Sequence, residues 1–217
     1  MSETSAKQRG RPARPEEEVV AAMLASTTWL LLNQGYAAAT MEAVAKHAGL
    51  AKKTLYRHAA NREELVGLVV RHMTDAFAPL LLEDVGKIDQ VFPALERMLL
   101  AIARSVLSAD AVGLFRLLTT EFPGRADMLA IYQRNGIERG TEMLVDWLER
   151  QRSRKLIVIG EPRLFCELLL GMAIGEPLRR MALGLIPPMP EWDAAAHIRA
   201  ALGLFQNAAA SGHAILR

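Results

Sequence analysis

Residues 40–62 read TMEAVAKHAGLAKKTLYRHAANR. Met41, Val44, Ala45 and Ala48 follow the i, i+3, i+4, i+7 spacing of a buried helical stripe, with Thr40 placed to cap its start and Gly49 to end it. A second short helix follows over about 51–58, in which Leu55 is the inward residue and Lys52, Lys53, Tyr56 and Arg57 fall on the outward side. Lys46, Lys52, Lys53, Arg57 and Arg62 face only Glu42 in this stretch. Two short helices joined through a glycine turn, the second with its charge outward, are the layout of a helix-turn-helix, whose second helix enters the DNA major groove.

The flanking sequence supplies the rest of such a unit. Pro15 and the acidic run Glu16, Glu17 and Glu18 suit a helix N-terminus, and Val20, Met23, Leu24, Leu30 and Leu31 continue the apolar pattern until Gly35 stops it. Downstream, Asn61 with Glu64 resembles a capping box. The long helix it opens is expected to bury Leu65, Leu68, Val69, Met73 and Phe77, and Pro79 to kink or end it. Further helices are predicted at 90–107, 110–121, 126–151, 162–184 and 192–210, punctuated by Gly86, Ser108, Pro123-Gly124, Gly160 with Pro162, and Pro187-Pro188. The one strand-like run, LIVIG at 156–160, cannot make a sheet alone and reads as an extended connector. The predicted fold class is therefore all-α: an N-terminal three-helix helix-turn-helix domain followed by a C-terminal helical bundle.

Composition agrees with an ordinary globular protein. The chain has 217 residues, 51% of them apolar and 23% charged. Arg97, Arg104 and Arg116 interrupt the richest apolar region before it reaches the roughly 18–20 residues a membrane helix requires. Its first eighteen residues carry no apolar signal core, so the expected location is the cytoplasm, with no membrane partner. The lone Cys166 excludes an internal disulfide, and His47, His72, His197 and His213 show no metal-ligand spacing, so neither a metal nor a cofactor is expected. No P-loop, G-x-S-x-G or recognisable carboxylate pair points to an enzyme.

Charge is unevenly placed. Residues 1–65 hold nine Lys/Arg against seven Asp/Glu, while residues 66–217 hold seventeen of each. Two basic clusters, at 1–14 and 40–62, sit on a nearly neutral body, the footprint of a polyanion binder. On DNA, Lys52 and Lys53 would reach guanine edges or phosphates, Thr54 and Tyr56 would donate to phosphate oxygens, and the helix N-termini at Thr40 and Arg62 would offer backbone amides. The arm KQRGRPARP, with Arg9 and Arg11, suits a narrow minor groove. The rival reading, a helical protein-interaction module without DNA binding, leaves this pairing of outward basic and aromatic groups unexplained.

The run TMEAVAKHAGLAKKTLYRHAANREEL, after a long first helix and Gly35-Tyr36, resembles the DNA-binding domain of the TetR family of bacterial transcriptional regulators. Gly35, Thr40, Val44, Ala45, Ala48, Gly49, Thr54, Leu55, Tyr56, His58, Glu63 and Leu65 carry the match without a gap. The pattern departs at Ala51, where a serine cap is usual, and at Ala59, where a phenylalanine normally wedges the recognition helix against the core. The resemblance implies a homodimer that binds a double-stranded DNA operator and a small-molecule effector, most simply a repressor released by that molecule. It implies a basic arm over 1–14, a DNA-binding domain over 15–62 and a ligand-binding and dimerisation domain over 63–217, with His58 at a DNA-backbone position. Met98, Phe115, Phe122, Tyr132, Met143 and Trp147 are the candidate pocket residues. Arg116 and Glu121 are candidates to orient a polar ligand group, although surface salt bridging explains them as well. The last two helices would form the dimer interface, with Phe165, Leu169, Gly171, Met172, Gly175, Ala200 and Leu204 in it.

Overall fold

The structure is a computed structural model that describes residues 14–121 and 125–210, with side chains to residue 206. Arg9, Arg11 and Phe122 lie outside the described residues. Helix α1 (Glu16–Ala38) breaks its helical geometry at Gly35, with φ 77° and ψ 170°. The positive φ disfavours any side chain there, and a Cβ would sit 2.9 Å from Glu121 Oε1, so that carboxylate would have to shift. Helix α2 (Met41–Ala48) starts under Thr40, whose Oγ1 accepts from the Ala43 amide at 3.1 Å, and ends at Gly49. Helix α3 (Lys52–His58) follows with Ala51 in the cap position and no side-chain cap bond. Helix α4 (Arg62–Asp75) opens with the Asn61 side chain accepting from the Glu64 amide, while the Glu64 carboxylate accepts from the Ala60 amide, both at 2.7 Å.

These helices enclose a first apolar core in which Met23, Leu31, Val44, Leu55 and Leu65 are buried together with Leu114, Leu118 and Met128. Helix α4 is wedged between this core and the bundle beyond. It buries Val66, Val70 and Thr74 besides the expected Leu65 and Val69, while Leu68 and Met73 are only half-buried. An isolated amphipathic stripe underestimates a helix covered on more than one side.

After the short α5 (Ala78–Leu81), which has Pro79 in its first turn, and a 3-10 turn at Ile88–Gln90, the bundle is built from α6 (Val91–Val106) and α7 (Ala109–Thr120). Helix α8 (Ala126–Tyr132) runs through a π-helical segment, Gln133–Glu138, into α9 (Arg139–Ser153). Likewise α10 (Pro162–Leu170) runs through the π segment Gly171–Gly175 into α11 (Glu176–Ala182), and α12 (Ala195–Ala210) closes the described chain. The 156–160 connector alternates as an extended chain should: Ile157 and Ile159 are buried and Val158 is 73% exposed. A second core, around Leu95, Leu99, Trp147, Phe165 and Phe205, holds the bundle together. Among the described residues there is no β-strand, only a bridge between Ser108 and Met189. No described helix is long and apolar enough to cross a membrane.

Candidate DNA interface and ligand cavity

Helix α3 is held from beneath by Leu55, fully buried, and by the buried Ala59 at its C-terminal end. That leaves Lys52, Lys53, Tyr56 and Arg57 exposed and Thr54 half-buried. Lys53 has no ion pair among the described residues. Lys52 pairs with Glu42 at 2.7 Å, and this contact holds the Glu42 carboxyl below its ordinary value. Arg57 pairs with Glu16 at 2.8 Å. These pairs are well exposed and stabilise little, so a phosphate competes for either cation at small cost. The ring of His47 stacks on Trp29 at 4.7 Å, tying α2 to α1.

The side chains of three expected DNA contacts are engaged within the protein; at Thr40 and Arg62 the expected contact is the backbone amide of the helix start. The Arg62 guanidinium lies 3.7 Å over the Tyr36 ring and donates to the Tyr36 carbonyl at 3.0 Å, so it clasps the α1 kink instead of facing outward. The His58 side chain is only 13% exposed, with Nε2 3.3 Å from Glu16 Oε1, beneath α3 and not on its outer face. The Thr40 hydroxyl is occupied as a cap, which leaves backbone amides as what that helix start offers.

Tyr36, in the first core, ties α1 to the start of α4 and the end of α7. Its amide donates to Glu121 at 2.8 Å and its hydroxyl to Glu63 at 2.6 Å. The Arg125 guanidinium sits 5.3 Å from the same ring and 3.5 Å from Glu63. Glu121 is not among the cavity-lining residues and has no ion pair among the described residues: it fastens the end of α7 to the α1 kink. Arg116 likewise bonds the carbonyls of Met181 and Ala182, capping the end of α11. In a lone sequence the only trace of the Tyr36 junction is a carboxylate, Glu121, inside an apolar stretch.

A cavity of about 330 Å³ lies inside the bundle. One wall is the lower half of α4, with Val70, Met73 and Thr74, and Phe77 just beyond its end; Ile102 and Val106 of α6, Ala111 and Leu114 of α7, and residues of α8 to α11 with both π segments complete it. Of the candidate pocket residues Tyr132 lines it. Met98 and Trp147 are buried in the second core instead, where the Trp147 indole N–H donates to the Glu83 carbonyl at 2.7 Å. Phe115 packs on the first core with its ring 6.5 Å from that of Tyr132, and Met143 packs half-buried on the second. Sequence reasoning missed Thr74, Gly136, Gly140, Thr141 and Ile174. The signal available was the pair of glycine spacings, 136/140 and 171/175, inside otherwise helical runs. A second, more polar groove of about 520 Å³ opens between α1 and α4, past Trp29, His72, Arg104 and Asp110.

The expected dimer residues divide. Phe165 and Leu169 are fully buried within the protomer, with the Phe165 ring 4.7 Å from Phe205, so they belong to its own core. Met172 is half-buried, and Gly171, Gly175, Ala200 and Leu204 are exposed, beside Leu164 and Leu168. A Cβ on Gly171 or Gly203 would meet nothing within 4 Å, so packing inside the protomer does not require those glycines.

Residues 24–69 match the profile of bacterial regulatory proteins of the tetR family, and residues 93–208 match that of the AefR-like transcriptional repressor C-terminal domain. The chain is 29% identical over 146 residues to the HTH-type transcriptional repressor Rv3405c of Mycobacterium tuberculosis, a match covering 67% of this chain and 76% of that protein. The fold superposes with a TM-score of 0.71 on a TetR-family regulator of Mesorhizobium loti, at 20% identity, covering 90% of this chain and 98% of the other. A TetR regulator of Agrobacterium tumefaciens gives the same TM-score at 18% identity, covering 90% and 94%. With the second profile alone spanning more than half of its length, and a helix-turn-helix presenting an exposed basic face, the chain belongs to the TetR family of DNA-binding transcriptional regulators.

Proposed function

We propose that this regulator is a homodimeric repressor that holds a two-half-site operator through α3 and leaves it when a small molecule fills the bundle cavity. One observation carries the reading: α4 begins beside α3, at the Arg62–Tyr36 clasp, and about 12 Å further along its axis its side chains become a wall of the cavity. A molecule in the cavity touches the element that seats the recognition helix. On the DNA side, Lys53 and Tyr56 read or grip the groove, with Lys52, Arg57, Thr54 and the amides at Thr40 on phosphates. The exposed apolar stripe of Leu164, Leu168, Gly171 and Gly175 on α10 and the following π segment, with Ala200 and Leu204 of α12, supplies the dimer contact. A DNA partner makes the cytoplasm the place of action.

The test is fluorescence anisotropy with DNA from upstream of the coding region, titrated against competitor DNA of scrambled sequence. Saturable binding at one protein dimer per site, retained in excess competitor, is the expected result. Equal affinity for both DNAs would remove the operator reading.

A further inference from the structure

The chemistry of the cavity wall goes further than its existence. Three hydroxyl groups belong to residues of the lining: Thr74, Tyr132 and Thr141. The Thr74 hydroxyl is taken, donating to the Val70 carbonyl at 3.1 Å. The hydroxyls of Tyr132 and Thr141 make no hydrogen bond among the described residues. They lie nine residues apart, more than two turns, on one continuous helical run, α8 through the π segment to α9, and both residues line the wall. Burial pushes the Tyr132 phenol up to about 12, so it stays a protonated donor throughout the physiological range.

The rest of the wall is apolar, and among the described residues no Lys, Arg or His lines it. Glu167 is the one charged lining residue among them; its side chain is 55% exposed and lies 4.0 Å from Arg163, so it belongs to the edge that meets solvent. A carboxylate or phosphate drawn into such a wall forfeits its hydration with no counter-charge to replace it. An ammonium group would meet only an exposed and already paired carboxylate. A neutral hydrogen-bond acceptor, by contrast, finds two unengaged donors. The volume of about 330 Å³ is at the small end of ligand pockets.

We infer that the cavity takes a compact, uncharged apolar molecule bearing a carbonyl-type or ether-type acceptor, which the hydroxyls of Tyr132 and Thr141 orient, and that it rejects acids and amines of the same shape. This rests on the cavity being the effector site, and the experiment separates the two claims. Four naphthalene probes of matched shape are titrated calorimetrically into the full-length protein: 2-acetonaphthone, 2-ethylnaphthalene, 2-naphthoate and 2-naphthylmethylamine. The ketone is expected to bind most tightly, the hydrocarbon roughly two- to tenfold more weakly for want of the hydrogen bond, and the two ions at least about tenfold more weakly than the ketone. In Tyr132→Phe, which keeps the ring, the ketone should fall to the affinity of the hydrocarbon, and Thr141→Val provides an independent second variant.

Binding of 2-naphthoate as tight as that of the ketone would overturn the inference, as would equal binding of ketone and hydrocarbon by the unaltered protein, or no binding by any probe. Operator titrations with the same compounds separate the effector reading. If the ketone binds but leaves operator affinity unchanged, the ligand class stands and the release mechanism falls. If an acid releases the operator while the ketone does not bind, release stands and the ligand class falls.

Discussion

At Tyr36 a single side chain is gripped from several directions: Arg62 over its ring, Glu63 on its hydroxyl and Met128 Sδ 3.7 Å from the same oxygen, with Glu121 on its amide. The Tyr36 hydroxyl, donating to Glu63, is the main cause of that carboxyl lying below its ordinary value near 4.5; its own backbone amide adds to the effect, and partial burial opposes it. A carboxyl with a depressed folded-state value contributes stability above its unfolded value and loses it as pH falls through the folded one. Tyr36→Phe keeps the ring under Arg62 and removes the hydroxyl with its bond to Glu63, so a loss of about 1 kcal/mol is expected at neutral pH. The difference between wild type and variant should shrink as pH falls below about 4.5. Urea midpoints at pH 7 and pH 3.5 check it; a difference independent of pH would mean the hydroxyl stabilises by packing alone. On the DNA face the informative residue is Lys53, exposed and free of any ion pair among the described residues. Lys53→Ala should leave the circular dichroism spectrum unchanged and weaken operator binding by about 1–3 kcal/mol if it reads a base. An equal loss on scrambled DNA would make it a phosphate contact. Glu16 restrains Arg57 in the free protein. Because Arg57 must leave Glu16 to reach a phosphate, Glu16→Gln should tighten operator binding by up to about 1 kcal/mol; unchanged affinity would mean Arg57 stays off the backbone.

Among the helices of the helix-turn-helix, α3 is the more lightly held. It spans seven residues, Lys52–His58, lacks a side-chain cap at Ala51, and rests on Leu55 and the small Ala59. Ala51→Ser supplies the missing acceptor for its first-turn amides and should raise stability by about 1 kcal/mol. Thermal denaturation measures the gain, and no gain would show that another group already satisfies those amides. This region was the most legible in the sequence because each helix carries its own punctuation. Thr40 and Asn61 cap, Gly35 and Gly49 stop, and the apolar spacing between them has one phase. The cavity was less legible because its wall is gathered from seven helices and two π segments far apart in the chain, and its inner polar members are lone hydroxyls. For α10 the difficulty was phase. Leu164 and Leu168 form one i, i+4 pair and Phe165 and Leu169 the next, so spacing alone does not say which pair the protomer keeps. The structure assigns Phe165 and Leu169 to its own core and leaves Leu164 and Leu168 outside.

In the molecule as a whole, a filled cavity has to reach two recognition helices at once. Two paths leave the cavity wall for the DNA-binding helices. Helix α4 carries one, from Val70 and Met73 back to Arg62 and Glu63. Helix α7 carries the other, from Ala111 and Leu114 on the wall to Glu121, which holds the α1 kink through the Tyr36 amide. At the kink the paths converge. Packing at the α4 crossing is tight: a Cβ on Gly136 would come within 3.0 Å of Val70, and one on Gly67 within 3.1 Å of Ile131. Contacts this close transmit a shift of α4 or the π segment with little slack. In a dimer with half-sites about 34–36 Å apart, a few ångströms of change in the separation of the recognition helices loses the second half-site. Linkage requires the effect to be reciprocal, so a ligand that weakens operator binding by some factor binds that much more weakly to the DNA-bound dimer, typically 5–150-fold. Glu121→Gln retains the shape of the side chain but trades its charged acceptor for a neutral one at the Tyr36 amide, which weakens the α7 path while leaving cavity and DNA face intact. The expected outcome is unchanged affinity for each partner alone and a smaller coupling factor when ligand is titrated with and without operator. Full coupling in the variant would assign the whole effect to α4, and lost ligand binding would mean that Glu121 shapes the cavity as well as connecting it.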